Sequence, residues 1–173
     1  MNTSEGDSAD QIAAAWQREQ PHLPVASIGV LTRIRQAAKL LADDRRRTLA
    51  RLRTDDATLD LLSTLRRAGH PYRLTTRELA ARSLITAGAV TQRVDRAQRA
   101  GLVRRLAGEP GGRTVTVELT PAGHAAVQAV VGDLLRHEQQ VLDRVLDPAE
   151  QEQLAALLAT FLRGLAAGGT QPR

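Results

Sequence analysis

The chain has no cysteine and a single lysine, Lys39. Without a thiol it can form no disulfide, no thiolate metal site and no cysteine-based redox switch. Aromatic residues are 2% of the 173 positions, one each of Trp16, Tyr72 and Phe161. A core must therefore be built from Leu, Val, Ile and Ala, which favours packed helices over large sheets. No apolar run approaches the roughly 20 residues a membrane helix needs. The start MNTSEGDSADQ has neither a basic region nor an apolar signal core, so a cytoplasmic protein with no membrane partner is expected. No H-E-x-x-H, G-x-S-x-G or glycine-rich phosphate loop occurs, and His22, His70, His124 and His137 fall on different predicted elements. The acidic pairs Asp43-Asp44 and Asp55-Asp56 lack the alternating oxygen pattern of a calcium loop. These absences point away from an enzyme, and no cofactor or metal is expected.

What is present is ordinary in bulk and uneven in distribution. Hydrophobic residues are 42% and charged residues 25%, which suits one folded domain with a real core. The net charge is +5. Between Arg77 and Arg113 lie eight arginines against Glu78, Asp95 and Glu109, a surplus of five that equals the whole net charge. From Thr114 onward acids outnumber arginines. The basic segment is a candidate phosphate-binding surface, and a solvated charged face is the other reading.

Local signals order the chain. Residues 1–9 are expected to be disordered and 168–173 a tail. A short helix over Asp10–Glu19 precedes Pro21 and Pro24. Ile28, Leu31, Ile34, Ala38 and Leu41 then recur at helical spacing on a long amphipathic helix. Asp55 or Asp56 can cap a helix carrying Leu59, Leu62 and Leu65, ended by Gly69 and Pro71. Thr75 and Glu78 form a capping box for a short helix, and Thr86 caps another that runs to Ala100 and stops at Gly101. The period then changes to two, giving strands over Leu102–Leu106 and Arg113–Leu119 around the turn Glu109-Pro110-Gly111-Gly112. Thr120-Pro121 and Asp147-Pro148 start the last two helices. The final one carries Leu154, Leu157, Leu158, Phe161, Leu162 and Leu165 in a stripe wide enough for more than one neighbour. The fold class is mainly α with a β-hairpin wing, a winged helix-turn-helix.

On the helix after Thr86, 100° per residue gathers Ala87, Val90, Val94, Ala97 and Gly101 within about 80° of arc, and turns Gly88, Gln92, Arg96 and Arg99 away. The first set reads as core. The second holds the residue types that DNA reading requires: a small residue for close approach, Gln92 for bidentate pairing with adenine, and Arg96 for guanine or phosphate. Thr86, Ala89, Thr91 and Arg93 complete the candidate DNA-contacting set on this helix. Arg113, beside two glycines, is placed to enter a minor groove as a wing residue, or else it is a solvated arginine on an inert turn.

These residues carry a resemblance. Leu74-Thr75-Thr76-Arg77-Glu78-Leu79-Ala80, Ile85 to Arg96, Ala100-Gly101-Leu102-Val103-Arg104-Arg105 and Val117 to Gly123 together resemble the MarR family of regulators, from about Trp16 to Phe161. The resemblance implies a homodimer formed by the terminal helices, two winged lobes and a palindromic operator. It divides the chain into residues 10–54 on the dimerisation and ligand side, a DNA-binding segment over 55–119, and dimerisation helices over 120–167. The family's wing usually carries Asp-x-Arg, whereas this chain has Gly111-Gly112-Arg113.

A narrower resemblance is to the urate-responsive branch of that family, with its extra amino-terminal helix and tryptophan. Trp16, Asp60, Arg93 and Arg105 match the positions that bind ligand there, which implies a small anionic aromatic ligand such as urate or a phenolic acid. Tryptophan stacks on a flat anion and arginine offers a bidentate fork. Equally, Trp16 reads as a packing anchor and Asp60 as a helix ion-pair partner of Arg66 or Arg67. The expected function is a sequence-specific regulator, a repressor released by such a ligand. The alternative is a non-enzymatic dimeric interaction module whose basic region binds an acidic protein.

Overall fold

The computed structural model describes residues 7–106 and 115–168. The chain divides into two compact units, Met1–Asp56 and Ala57–Arg173.

In the first unit, α1 (Ser8–Glu19) begins two residues before the expected start. Asp7 is the reason: its carboxylate accepts the N–H groups of Ala9 and Asp10 at 2.9 and 3.2 Å, satisfying donors that a helix start leaves open. Ser8 and Ala9, placed in the disordered stretch by sequence, are therefore helical, and Ala9 is fully buried. Arg33 of α2 (Ala26–Arg51) reaches both acids, with Nε 2.8 Å from Asp7 and Nη2 2.8 Å from Asp10. The Arg33 side chain holds the Asp7 carboxyl below the ordinary aspartate range, and Asp7 in turn raises Arg33. A lowered carboxyl pKa stabilises the docked α1 above the ordinary aspartate value and loses that contribution as pH falls through the lowered one. Trp16, the only tryptophan, sits on α1 and reports the event. Arg33→Ala should shift Trp16 emission at neutral pH towards its acid-state value; identical emission from both proteins across the titration would refute the clamp.

The expected apolar stripe of α2 is only partly covered. Leu31 and Leu41 are 37% and 55% exposed, and Ala38 is exposed too. Length explains part of this: 12 residues of α1 span about 18 Å and 26 of α2 about 39 Å, so α1 can cover at most half of its neighbour.

The second unit runs α3 (Asp56–Arg67), β1 (Arg73–Thr75), α4 (Thr76–Ser83), α5 (Ala87–Arg99), β2 (Val103–Leu106), β3 (Thr116–Leu119), α6 (Pro121–Asp143) and α7 (Pro148–Gly168). Its sheet has the order β1-β3-β2, antiparallel throughout. Strand β1 is additional to the expected hairpin. It pairs Arg73 with Glu118 and Leu74 with Val117, more than forty positions along the chain. Thr75 both ends this strand and caps α4, because a cap residue has extended dihedrals; here φ is −67° and ψ is 156°.

Leu59, Leu62 and Leu65 of α3 are buried as expected, joined by Leu61 and Thr64, so α3 is enclosed on several sides. Leu79, Val90, Val94, Val103 and Val117 pack the same core. The tip segment 107–114, with the expected turn and Arg113, lies outside the described residues. On α6, Thr120 caps through Gly123 N–H, donates its hydroxyl to Gly101 O at 2.7 Å and donates its own N–H to Leu102 O at 3.1 Å. Helix α7 has no buried residue. The expected packing of its leucine stripe is not met within one chain: Leu157 and Leu162 are each 62% exposed.

The structure also gathers residues that the sequence left scattered. The Arg66 guanidinium lies 4.9 Å over the Tyr72 ring and 2.8 Å from His124 Nδ1, and Tyr72 meets His70 and His124 edge-on. Because guanidinium only donates, His124 Nδ1 is the acceptor. The cluster ties α3, the turn that leads into β1, and α6 together. Among the described residues no helix is long and apolar enough to cross a membrane, and no group of three or more His, Asp or Glu could hold a metal ion.

Candidate nucleic-acid interface

Helix α4, the turn and α5 form a helix-turn-helix. The expected capping box is present at α4: Thr75 Oγ1 accepts Glu78 N–H at 3.1 Å, and Glu78 Oε2 accepts Thr75 N–H at 2.8 Å. These bonds to Thr75 hold the Glu78 carboxyl below its ordinary value. Leu84 closes α4 in the left-handed region at φ 52°, and Thr86 opens α5 by accepting Ala89 N–H at 3.3 Å. Gly101 ends the motif at φ +72°, the conformation expected of it.

Helix α5 divides by burial. Val90, Val94 and Ala97 are at most 2% exposed, while Gly88, Gln92, Arg96 and Arg99 are exposed. Ala87 and Gly101 depart from the expected core face, since both are exposed. They sit at the two ends of the helix, one turn beyond the last residues the core covers, where the arc continues with nothing packed above it. A side-chain carbon added at Gly88 would meet nothing within 4 Å, so that position is open to an approaching partner.

Two ion pairs flank the exposed face. Arg93 Nη1 lies 2.7 Å from Asp60 Oδ2 of α3, with the side chains 26% and 39% exposed. Arg105 of β2 pairs with Asp95 and donates to Gln98 Oε1 at 2.7 Å. Arg93 and Asp95 are two residues apart, about 200° around the axis, so the pairs grip opposite flanks of α5 and fix its rotation. Of the four residues matched to ligand binding, the structure brings Asp60 and Arg93 together and places Arg105 on the other flank. Asp60 pairs with neither Arg66 nor Arg67; Arg66 is turned to Tyr72 and His124, and Arg67 to Thr64. Trp16 belongs to the first unit, where it is 47% exposed.

The remaining candidates are placed as follows. Thr91 is exposed and its hydroxyl donates to Ala87 O at 3.1 Å. Ala89 is half-buried and lines, with Gln92, Arg93 and Arg96, a shallow groove against Ala57 and Thr58 of α3. Arg99 and Arg105 border a second open cleft with Asp95 and Gln98. Sequence reasoning missed the Asp95–Arg105 pair; the acid at 95 opposite the run Arg104-Arg105 was its one visible sign. An Asp60→Ala, Arg93→Ala double-mutant cycle on thermal stability should give a coupling of about 1 kcal/mol, the range of a partly exposed pair. Additive single effects would show that the pair does not hold α5.

A sequence profile described as the MarR family matches residues 54–114, which span α3 to the hairpin. The chain is 30% identical over 150 residues to the HTH-type transcriptional regulator PecS of Dickeya dadantii (strain 3937), covering 85% of this chain and 88% of that protein. The chain belongs to the MarR family. Sco3205, a MarR-family regulator from Streptomyces coelicolor solved in complex with DNA, superposes with a TM-score of 0.70 at 26% identity, over 87% of this chain and 91% of its own. Wild-type apo MarR from E. coli superposes at 0.65 with 27% identity, over 76% of this chain and 96% of its own. The protein is thus a DNA-binding transcriptional regulator and not an enzyme.

Proposed function

We propose that this MarR-family regulator acts in the cytoplasm as a homodimeric repressor of a palindromic operator, one α5 reading each half-site. The observation that carries the reading is the divided α5: a buried Val90–Val94–Ala97 face behind an exposed Gly88–Gln92–Arg96–Arg99 face, gripped on both flanks by ion pairs. Residues 55–119 then serve as the DNA-binding segment, with Thr86, Thr91 and Ala89 near the groove floor and Arg113 as the wing contact. Residues 10–54 and 120–167 serve dimerisation. The uncovered leucines of α7 support this, since a stripe of Leu154, Leu157, Leu158, Leu162 and Leu165 left in water by one chain is what a second copy buries.

A small anionic aromatic ligand, urate or a phenolic acid, would release the repressor through Arg93. An anion taking the guanidinium from Asp60 frees one flank of α5, and half-sites about one helical turn apart tolerate little rotation. Arg105, by its grip on Asp95, sets the other flank, and Trp16 is the candidate stacking residue.

The test is a mobility-shift titration on DNA upstream of the protein's own gene, against excess nonspecific competitor, with a random-sequence selection beside it. Tight binding that falls steeply with salt supports the reading, and no preference in either experiment overturns it. Calorimetry with urate, xanthine and simple phenolic acids tests the ligand. Absence of heat and of any loss of operator affinity removes that part alone.

A further inference from the structure

Leu84 is the most exposed large hydrophobic side chain among the described residues, at 93% against 70% for Val145. It also holds a left-handed backbone, φ 52° and ψ 40°, that glycine or asparagine adopts with less strain. A residue that is unfavourable on both counts sits at one place: the turn of the helix-turn-helix, one position past α4 and two before the Thr86 cap of α5. That is the amino-terminal end of the reading helix, the end that enters a major groove, and it lies within the basic segment. Hydrogen bonds from the Leu84 and Ile85 N–H groups to Ala80 O fix the turn, so the side chain is presented on a rigid corner.

We propose that Leu84 is a specificity-determining residue that packs on the 5-methyl group of a thymine at the edge of each half-site. The inference rests on the operator-reading function. The thymine methyl is the one apolar group on the major-groove edge of the bases, so a leucine presented there distinguishes thymine from cytosine without a hydrogen bond. DNA as the occupant follows from position: Leu84 adjoins Thr86 and Gly88 on the exposed side of the motif, where no part of the described chain covers it.

Replacing each operator thymine in turn by deoxyuridine deletes that methyl and nothing else. For the wild type, one symmetric position should lose about fourfold in affinity per half-site, the worth of one buried carbon at 1.4 kcal/mol per tenfold. Leu84→Asn, which suits the left-handed turn, should bind thymine and uracil there equally, with its salt dependence unchanged because no phosphate contact is lost. Leu84→Met should keep the preference. Equal thymine-to-uracil costs for the wild type and Leu84→Asn at every position overturn the proposal while leaving operator binding intact. A wild type with no preference over competitor removes the operator reading itself and this inference with it.

Discussion

Gly123→Ala should destabilise the protein by about 3 kcal/mol, the upper part of the range for overpacking. A Cβ built on Gly123 falls 2.0 Å from Leu102 O and 3.2 Å from Leu119 Cδ2. Backbone oxygen cannot step aside as a flexible side chain would. Leu102 O is already the acceptor for Thr120 N–H, and Gly101 O for the Thr120 hydroxyl, so the carbonyls just before β2 and the start of α6 are tied to each other. One of these bonds, or the helix start, must give. For a chain of this size the loss corresponds to a fall in Tm of about 6–12 °C, read by circular dichroism. Gly88→Ala, melted without DNA, is the control: it is helical, it lies outside the segments assigned to dimerisation, and its added carbon meets nothing within 4 Å. That variant should gain roughly 0.5–1 kcal/mol, as alanine does over glycine inside a helix. If the two variants melt together, the contact at Leu102 does not constrain the fold.

Gly123 also shows what the sequence could and could not reveal. Its place in the Val117 to Gly123 run carried the family resemblance, yet nothing in the run says which backbone it must approach, since Leu102 is twenty-one residues away. The same division holds elsewhere. Thr75 with Glu78, Thr86, Thr120 and Gly101 act through neighbours within four residues, so their caps and turns were legible and stand where expected. Strand β1 was not, because three residues have no period and its pairing partner is β3. The pairs Arg93–Asp60 and Arg105–Asp95 join elements 33 and 10 positions apart, and only the second lies near enough in sequence to have been suspected. The split of α5 into two faces was legible from the 3.6-residue period; its ends were not, because Ala87 and Gly101 follow the period past the point where the core stops.

Arg96→Ala should lower operator affinity by about 1–3 kcal/mol per half-site, about fivefold to more than a hundredfold, the range for a bidentate contact to a base. Arg96 is exposed on the same face as Gln92, one turn further along α5, so both enter the groove if either does. Their losses should differ in kind. Gln92→Ala removes an amide that carries no charge, so discrimination at one adenine should relax while the dependence of affinity on salt stays as in the wild type. Arg96→Ala removes a cation, and its effect separates two roles. A phosphate contact reduces the salt slope by about one per arginine and weakens all sequences alike. A guanine contact weakens the operator selectively and leaves binding to random DNA nearly unchanged. Arg96→Lys sharpens the distinction, because lysine keeps the charge without the planar fork. For a phosphate role it should restore the salt slope and most of the affinity; for a guanine role it should leave the preference lost. Full operator affinity in Gln92→Ala and Arg96→Ala alike would mean that DNA is read elsewhere than on the exposed face of α5.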